Sequence, residues 1–425
     1  MIKNFNSKLT QLQFKGMFKW LYPGIGIKRW IGLGAFGVIL VIVGSAGLRA
    51  EEYWLVKALD TIVFISGIII LILGIKRMLL SFIMAFVPSQ KDNDLVDILY
   101  QRKQLSRGPK IVAVGGGTGL SVLLSGLKEY TSNITAIVTV ADDGGSSGRI
   151  RQQFDILPPG DIRNCLVALA DASTLMRDLF QFRFDEGSEL SGHSFGNLFI
   201  TVMTRLTGDF DKAIKETSKV LALRGQVIPS TLNNVVLVAE HMDGSITEGE
   251  NKIPKARKPI NRVYLKPVSS VTEPVATPEA VKAVQEAQVI VMGPGSLYTS
   301  IIPNLLIKEI TEAIAASGAI KVYVCNAMTQ PGETDNFNAS EHIKILLKHS
   351  HARIFDYCIL NNGEISKEIL KRYEQEGSYR VVNDTRNIIN MGYRAIEEDV
   401  IISEDVVRHD PAKLAKIVLG FIDEF

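Results

Sequence analysis

Cysteine is scarce in this chain, with three of the 425 residues. Cys165, Cys325 and Cys358 each lie within or beside an apolar run, and no C-x-x-C or histidine-rich spacing accompanies them. Such cysteines are typical of a protein core rather than of a disulfide framework or a zinc site. We therefore predict three buried, reduced thiols.

An excess of charge of either sign is also lacking. The chain has 47 Lys and Arg against 45 Asp and Glu, a formal net charge of +2, and much of the excess flanks the N-terminal apolar runs. A nucleic-acid-binding surface needs a basic patch or stripe, and none is visible. We predict no nucleic-acid partner.

Long uncharged apolar runs occur only near the N-terminus, at residues 30–48 and 61–75. Each run approaches the length needed to span a bilayer. The second is short unless residues 58–60 enter the span or the apolar run 78–87 continues it along the interface, and both alternatives stay open. A signal peptide fits poorly, because the charged leader is long and a second apolar segment follows.

Basic residues flank the two runs on their outer sides, whereas the turn between them carries Glu51 and Glu52. By the positive-inside rule, both ends of this hairpin face the cytoplasm, which makes the chain a multi-pass protein of the cell membrane. Residues 90–93 indicate a linker, followed by a helix over 95–103 that docks on either neighbour. The predicted organisation is a basic leader (1–29), a transmembrane hairpin (30–87), a linker helix (88–108) and an α/β domain (109–425).

Three consecutive glycines, Gly115 to Gly117, follow an apolar strand and precede a helix that begins near Gly119. Glycines at such a turn let the backbone approach an anion, while the N–H groups and the dipole of the helix stabilise its charge. The pattern is neither the G-x-G-x-x-G fingerprint nor a P-loop. It therefore predicts either a phosphate cradle or a tight turn without a ligand.

A second strand, residues 134–140, leads into Asp142, Asp143 and a glycine- and serine-rich loop. In an open parallel sheet, ligands bind outside the carboxyl ends of the strands, so the two loops are expected to meet at one site. The two carboxylates are candidates for a metal or a sugar hydroxyl. The alternative for the pair is N-capping and Asx-turn chemistry.

Asp161 opens a helix after Pro158 and Pro159, where capping alone would explain it. Arg163 lies in the first turn of the same helix, where the dipole disfavours a cation, and it would suit a phosphate or the carboxylates of the preceding loop. Further glycine-bearing loops follow at 192–198, 293–300 and 325–334. Five such loops in one chain are hard to explain as turn chemistry alone.

Apolar strands alternate with helical patterns through much of the C-terminal part, at the spacing of βαβ units. The expected fold is an α/β domain with a mostly parallel sheet and helices on both faces. Residues 235–265 differ, because an Asp-Gly turn separates two alternating runs, and they predict a small antiparallel insertion. The helix predicted over 411–422 covers the sheet.

The motifs GGGTGLS, VADDGGSSGR, PPGDIRN, GHSFGN, GPGSLYTS and CNAMTQPGET, in this order, resemble the bacterial gluconeogenesis factor family. The resemblance covers roughly residues 109–425. It implies a Rossmann-like nucleotide-binding fold, a UDP-N-acetylglucosamine-type ligand, and control of cell-wall precursor supply and cell shape under gluconeogenic growth. The family is similar to 2-phospho-L-lactate transferases, which hold a divalent metal on aspartates, so Mg²⁺ is the cofactor to consider. Gly144, Gly145 and Pro158 to Gly160 depart from the transferase pattern.

Three functions stay open, in decreasing order of preference: a ligand-binding regulator, a metal-dependent transferase, and a membrane-anchored scaffold of the cell-wall machinery. The expected partners are a nucleotide sugar, a cell-wall precursor enzyme or wall-synthesis protein, the membrane, and a second copy of the chain. No nucleophile paired with a general base is visible. The metal candidates are Asp142, Asp143 and Asp161, and the catalytic candidates are Asp161 and Arg163. Tyr298 is expected to pack on a ligand ring, and the ligand-binding candidates are Gly115, Gly116, Gly117, Thr118, Gly119, Asp142, Asp143, Ser146, Ser147, His193, Asn197, Gly295, Ser296, Tyr298 and Asn326.

Overall fold

The computed structural model describes residues 27–50, 53–86, 103–185, 187, 189–268, 273–351 and 353–423. The predicted leader up to residue 26, the turn residues Glu51 and Glu52, and the linker up to residue 102 lie outside the described residues. Contacts divide the chain into two units, Met1–Gln101 and Arg102–Phe425. Each unit is described by itself.

The first unit contains two long apolar helices, α1 (Ile27–Ala50) and α2 (Trp54–Phe86). The stretches Arg29–Arg49 and Trp54–Leu79 are long and apolar enough to cross a membrane. Helix α2 runs without a break from residue 54 to residue 86, so the segments 58–60 and 78–86 both belong to it. The candidate span Trp54–Leu79 includes residues 58–60 and only the first two residues of 78–86.

Glycines let α1 and α2 approach each other closely. A Cβ built on Gly37 would lie 2.7 Å from the backbone nitrogen of Leu71, and one on Gly44 would lie 2.6 Å from that of Phe64. Small residues allow this backbone contact between apolar helices, where hydrophobic burial alone gives little preference for one helix pairing over another. Gly32, on the same helix, has no neighbouring atom within 4 Å of such a Cβ.

Gly37→Leu is expected to weaken the packing of the hairpin by about 1–3 kcal/mol through overpacking, whereas Gly32→Leu should have little effect. All three tryptophans, Trp20, Trp30 and Trp54, belong to the N-terminal region, so their fluorescence reports on it. Titration of the detergent-solubilised chain with sodium dodecyl sulfate would measure the difference. Equal midpoints for the two variants would contradict the close approach at Gly37.

The second unit is built on a seven-stranded sheet with the order β10-β9-β8-β7-β1-β2-β3. All six neighbouring pairs are parallel. The strands of this sheet are β1 (Ile111–Gly115), β2 (Ile134–Val138), β3 (Gln226–Pro229), β7 (Val289–Met292), β8 (Ile320–Val324), β9 (Tyr357–Asn361) and β10 (Arg394–Glu398).

Helices cover both faces of the sheet, as predicted. Successive residues of β1 point to opposite faces, so Val112 and Val114 pack in one core while Ile111 and Ala113 pack in the other. The helices are α3 (Gly117–Leu127), α4 (Gly145–Phe154), α5 (Gly160–Leu169), α6 (Thr174–Gln181), α7 (Phe195–Thr207), α8 (Phe210–Val220), α9 (Ile253–Ala256), α10 (Pro278–Glu286), α11 (Ile302–Leu305), α12 (Lys308–Ala316), α13 (Ala339–Lys348), α14 (Lys367–Gln375), α15 (Thr385–Asn390) and α16 (Pro411–Asp423), with a π-helical turn at Leu297–Ile301.

The predicted antiparallel insertion is confirmed as a three-stranded sheet of β4 (Val235–His241), β5 (Ile246–Glu248) and β6 (Ile260–Pro267), in the order β5-β4-β6. A second small antiparallel pair, β11 (Ile401–Ser403) with β12 (Val407–His409), was not predicted. All three cysteines are free and buried, as expected. The carboxyl ends of the parallel strands lead into glycine-bearing loops that the sequence analysis singled out.

Candidate ligand-binding site

The strand order changes direction between β1 and β7. The chain passes from β1 to β2 and β3 on one side, and the later strands β7 to β10 continue on the other. The loops that leave the carboxyl ends of β1 and β7 therefore diverge, and a crevice opens between them. The glycine turn and the loop beginning at Gly293 border this crevice.

The glycine turn leads directly into α3, whose first residue is Gly117. A Cβ on Gly116 would lie 2.5 Å from Oδ2 of Asp161 and 2.7 Å from Cγ2 of Thr139, so no larger residue fits. Gly116 carries no side chain that could cap the helix, and no acidic residue stands in the first turn. No side chain of its own thus caps the positive end of α3, although the carboxylate of Asp161 approaches it from the neighbouring helix.

A cavity of about 730 Å³ lies in front of this helix end. Of the predicted ligand-binding residues, it is lined by Gly116, Gly117, Thr118, Gly119, Gly295, Ser296 and Asn326. Gln330 donates to Ser296 Oγ at 2.7 Å and so joins the loop after β7 to the loop after β8. Arg408 and His409 of β12 also line the cavity, which the sequence did not reveal.

Gly115 and Tyr298, which were also predicted to bind the ligand, have structural roles. The carbonyl oxygen of Gly115 accepts hydrogen bonds from Asn304 Nδ2 and from the backbone of Thr139, both at 3.0 Å. Tyr298 is 0% exposed in the core and meets His349 edge to face at 6.0 Å. The expectation that Tyr298 packs on a ligand ring is therefore wrong.

Asp161 stands between the cavity and the second loop. Pro159 occupies the N-cap position of α5, and Asp161 is the second residue of the helix. The prediction that capping alone explains Asp161 is therefore wrong. Its carboxylate instead accepts the N–H of Gly117. Burial, reinforced by the nearby charge of Asp142, raises the pKa of Asp161 to about 7.

The carboxylates of the second loop are held by backbone donors. Asp142 Oδ1 accepts the N–H of Gly144 at 2.8 Å, and Asp143 Oδ1 accepts the N–H of Asn251 at 2.9 Å. Burial raises the pKa of Asp142, against the hydrogen bonds from Gly144 and Ser147. The contact with Asn251 brings the antiparallel insertion to the edge of the site.

Two further carboxylates at this site escaped the sequence analysis. Glu250 follows β5, and its buried Oε2 has no hydrogen-bond partner; burial, then Asp161 and Asp142, raise its pKa well above the usual value. Glu333, from the loop after β8, also has an unpartnered Oε2, and burial raises its pKa to about 7. No local pattern marks Glu250, because the tertiary fold alone brings it to Asp161 and Asp142, whereas Glu333 lies in the glycine-bearing loop 325–334 but was not singled out within it.

The three aspartates predicted as metal ligands are not arranged as a metal site. Among the described residues, no group of three or more His, Cys, Asp or Glu side chains is arranged to hold a metal ion. Asp142, Asp143 and Asp161 each accept a backbone N–H instead. A three-aspartate magnesium site therefore does not fit this arrangement.

Arg163 has neutral partners rather than the predicted carboxylates. Its guanidinium donates to Ser194 Oγ, to Asn197 Oδ1 at 3.0 Å and to Asn164 Oδ1 at 2.7 Å. Burial lowers its pKa to about 10, which leaves it a cation at neutral pH. Its Nε is buried without a partner, so the charge is only partly compensated.

A serine–histidine pair lies beside this arginine, although the sequence showed none. Ser146 Oγ is 3.0 Å from Nδ1 of His193 and accepts Asn197 Nδ2 at 3.0 Å. Burial, then the charge of Arg149, lowers the pKa of His193 and keeps its ring neutral. In the tautomer that carries its proton on Nε2, Nδ1 accepts the hydroxyl proton of Ser146, an arrangement that also occurs in activated nucleophiles. Ser146, Ser147, Asp142, Asp143, His193 and Asn197 form this polar cluster, next to the cavity rather than on its wall.

Comparison with known proteins agrees with this geometry. A family model described as 2-phospho-L-lactate transferase CofD matches residues 111–401. The gluconeogenesis factor of Bacillus subtilis is 47% identical over 321 residues, which make up 75% of this chain and 100% of that protein. The chain belongs to the gluconeogenesis factor family. A solved UPF0052 family structure from Bacillus halodurans has a TM-score of 0.70 and 47% identity, covering 73% of this chain and 99% of that one.

Members of the gluconeogenesis factor family differ in how much of this chain they match. A relative in Nostoc sp., also named for this factor, is 46% identical over an alignment of 423 positions that covers 95% of this chain and 92% of that protein. An alignment of that extent includes most of helices α1 and α2. The Bacillus proteins instead correspond to the α/β domain, which shows that this domain exists as a protein of its own in the family.

Proposed function

We propose that this gluconeogenesis factor family member is a membrane-tethered regulator whose cytoplasmic α/β domain binds a nucleotide sugar of the UDP-N-acetylglucosamine type. Occupancy would change a surface that contacts a cell-wall precursor enzyme or a wall-synthesis protein. Through this contact the protein would control carbon flux into wall precursors. It would thereby also control cell shape under gluconeogenic growth. The name of the relatives supports the metabolic part of the proposal.

The N-terminus of α3, which lines the cavity and has no side-chain cap of its own, is the observation that carries the ligand class. It stands at the change of strand order, where α/β sheets bind nucleotides, and Arg408 on the same cavity wall adds a positive charge for a diphosphate. The cavity volume of about 730 Å³ lies within the range of about 300–1,000 Å³ that is typical of small-molecule sites. Ser296, Asn326 and Gln330 supply hydrogen-bonding groups for hydroxyls on the opposite wall.

Titration calorimetry on residues 108–425 would test the proposal, since the Bacillus relatives consist of this domain. UDP-N-acetylglucosamine is expected to bind with micromolar affinity, worth about 8 kcal/mol. UDP alone, GDP and NAD serve as comparisons. Equal affinity for GDP and UDP-N-acetylglucosamine, or no binding of either, would contradict the proposed ligand.

A transferase is the second candidate, and the Ser146–His193 pair favours it. A buried histidine whose Nδ1 lies 3.0 Å from the hydroxyl of a serine at a helix N-terminus resembles a general base with its nucleophile. The wild-type domain would be incubated with UDP-N-acetylglucosamine, or with a lactyl-guanosine diphosphate donor, in the presence of magnesium. Turnover lost in Ser146→Ala but kept in Ser125→Ala would establish the transferase in place of the regulator.

The membrane part of the proposal rests on the two apolar helices and the charges that flank them. A cysteine at Glu52 is expected to react with an impermeant maleimide added outside intact cells, whereas one at Lys110 should react only after lysis. The background is low, because the three native cysteines are buried. Labelling of Lys110→Cys from outside would reverse the proposed orientation.

A further inference from the structure

A second cavity, of about 1000 Å³, lies at the opposite edge of the sheet from the first. Its walls come from the segments that lead into four neighbouring strands, β7, β8, β9 and β10, and from the end of α16. The nucleotide-sugar proposal does not use this edge, because the glycine turn lies at the carboxyl ends of the strands. The residues that line the second cavity therefore need their own explanation.

Three cations line this cavity: Lys321 at the start of β8, Arg353 before β9, and Arg394 at the start of β10. Within the parts of the chain that the structure describes, none of the three forms an ion pair with an aspartate or glutamate. Asp356 is the one acidic residue on the wall, and its carboxylate accepts the backbone N–H of Lys321 at 3.0 Å. With three cations and one carboxylate, the wall carries a formal charge of +2.

The environment of these cations makes the excess charge significant. Lys321 is 8% exposed, and its ammonium donates only to the carbonyl of Ser317, at 3.2 Å. Arg394 is positioned by Tyr357, whose hydroxyl it contacts at 2.6 Å and whose ring it covers at 5.3 Å. Arg353 and Arg394 are solvent-exposed, so Lys321 is the one of the three that is desolvated, and an anion that enters the cavity would supply the counter-charge it lacks.

We infer that the cavity formed by Lys321, Arg353 and Arg394 is a second ligand site, which binds a phosphate-bearing dianion. Two guanidinium groups give the bidentate geometry that phosphate oxygens accept, and the net charge of the wall matches a dianion. The phosphate belongs either to a soluble metabolite or to a lipid headgroup. The site is independent of the nucleotide-sugar proposal.

Calorimetry with inorganic phosphate at pH 8, where it is a dianion, would test the soluble source on the full chain in phosphatidylcholine nanodiscs. Arg353→Gln/Arg394→Gln is expected to weaken phosphate binding at least about tenfold. Lys212→Gln/Lys344→Gln removes the same charge from exposed positions on α8 and α13 and should leave binding unchanged. Thermal melts followed by circular dichroism confirm that both variants are folded.

Flotation with vesicles would test the lipid source on residues 108–425, which lack the apolar helices. The domain should float with vesicles that contain phosphatidic acid, whose phosphomonoester can carry two negative charges, and not with phosphatidylcholine alone, and the arginine variant should stay in solution. Arginine-dependent binding in either experiment supports the site and identifies its source. Absence of both, or an equal loss in the lysine variant, overturns it.

Discussion

Replacing Gly116 by valine is expected to reduce the affinity for a nucleotide sugar at least 100-fold, or about 3 kcal/mol. The Cβ of the new side chain would lie 2.5 Å from Oδ2 of Asp161 and 2.7 Å from Cγ2 of Thr139. Relieving this overlap requires the turn, or the side chains of Asp161 and Thr139, to move at the helix end where the phosphate is expected. Titration calorimetry on residues 108–425 would measure the loss.

Gly420→Val provides the matched control. Gly420 lies on α16 and has no neighbouring atom within 4 Å of an added Cβ, so this change should leave binding intact. A melting curve for each variant separates loss of the site from loss of the fold. A folded Gly116→Val domain with unchanged affinity would remove the phosphate cradle from the proposal.

Asp161→Asn is expected to stabilise the domain by about 2–4 kcal/mol at pH 8. Burial holds the pKa of Asp161 at about 7 in the folded chain, against 3.8 as the ordinary value. The folded state therefore binds the extra proton between pH 4 and 7, and wild-type stability falls as the pH rises through this window. Asparagine keeps an acceptor for the N–H of Gly117 but carries no charge. The variant therefore does not lose stability as the pH rises through this window.

Urea unfolding followed by circular dichroism would measure this effect, since residues 108–425 contain no tryptophan. The difference between wild type and Asp161→Asn should shrink as the pH is lowered from 8 and vanish near pH 4. Asp178→Asn, at an exposed position on α6, should change little at any pH. A variant less stable than wild type at pH 8 would show that the ionised carboxylate is stabilised by its surroundings.

The sequence predicted those parts of the fold and site that depend on local patterns. Apolar strands followed by glycine-rich loops indicated a parallel sheet with its loops at one edge, and the Asp-Gly turn indicated the antiparallel insertion. Because ligands bind outside the carboxyl ends of parallel strands, the two loops were expected to meet at one site, which agrees with the observed pairing of β1 and β2. Gly116 and Asp161 were brought together, as expected for loops at the carboxyl ends of neighbouring elements.

Contacts between distant segments could not be predicted in this way. Glu250 reaches the site because the insertion folds back onto Asp143, and no spacing in the sequence reports that contact. Arg163 was expected to pair with a phosphate or with the carboxylates of the second loop, but its guanidinium donates to Asn197 and Ser194 from a distant segment. Tyr298 looked like a loop residue, yet the π-helical turn that contains it directs the ring into the core.

The alternating packing of β1 restricts how this domain can change in length during evolution. Deleting one residue between Lys110 and Gly116 would exchange the side chains that face the two cores, and it would also move the glycine turn away from the end of α5. Length changes are therefore expected in exposed connections, such as the one around Leu190, which is 42% exposed. Families that inherit this sheet should vary in their loops while keeping the number of residues in the strand constant.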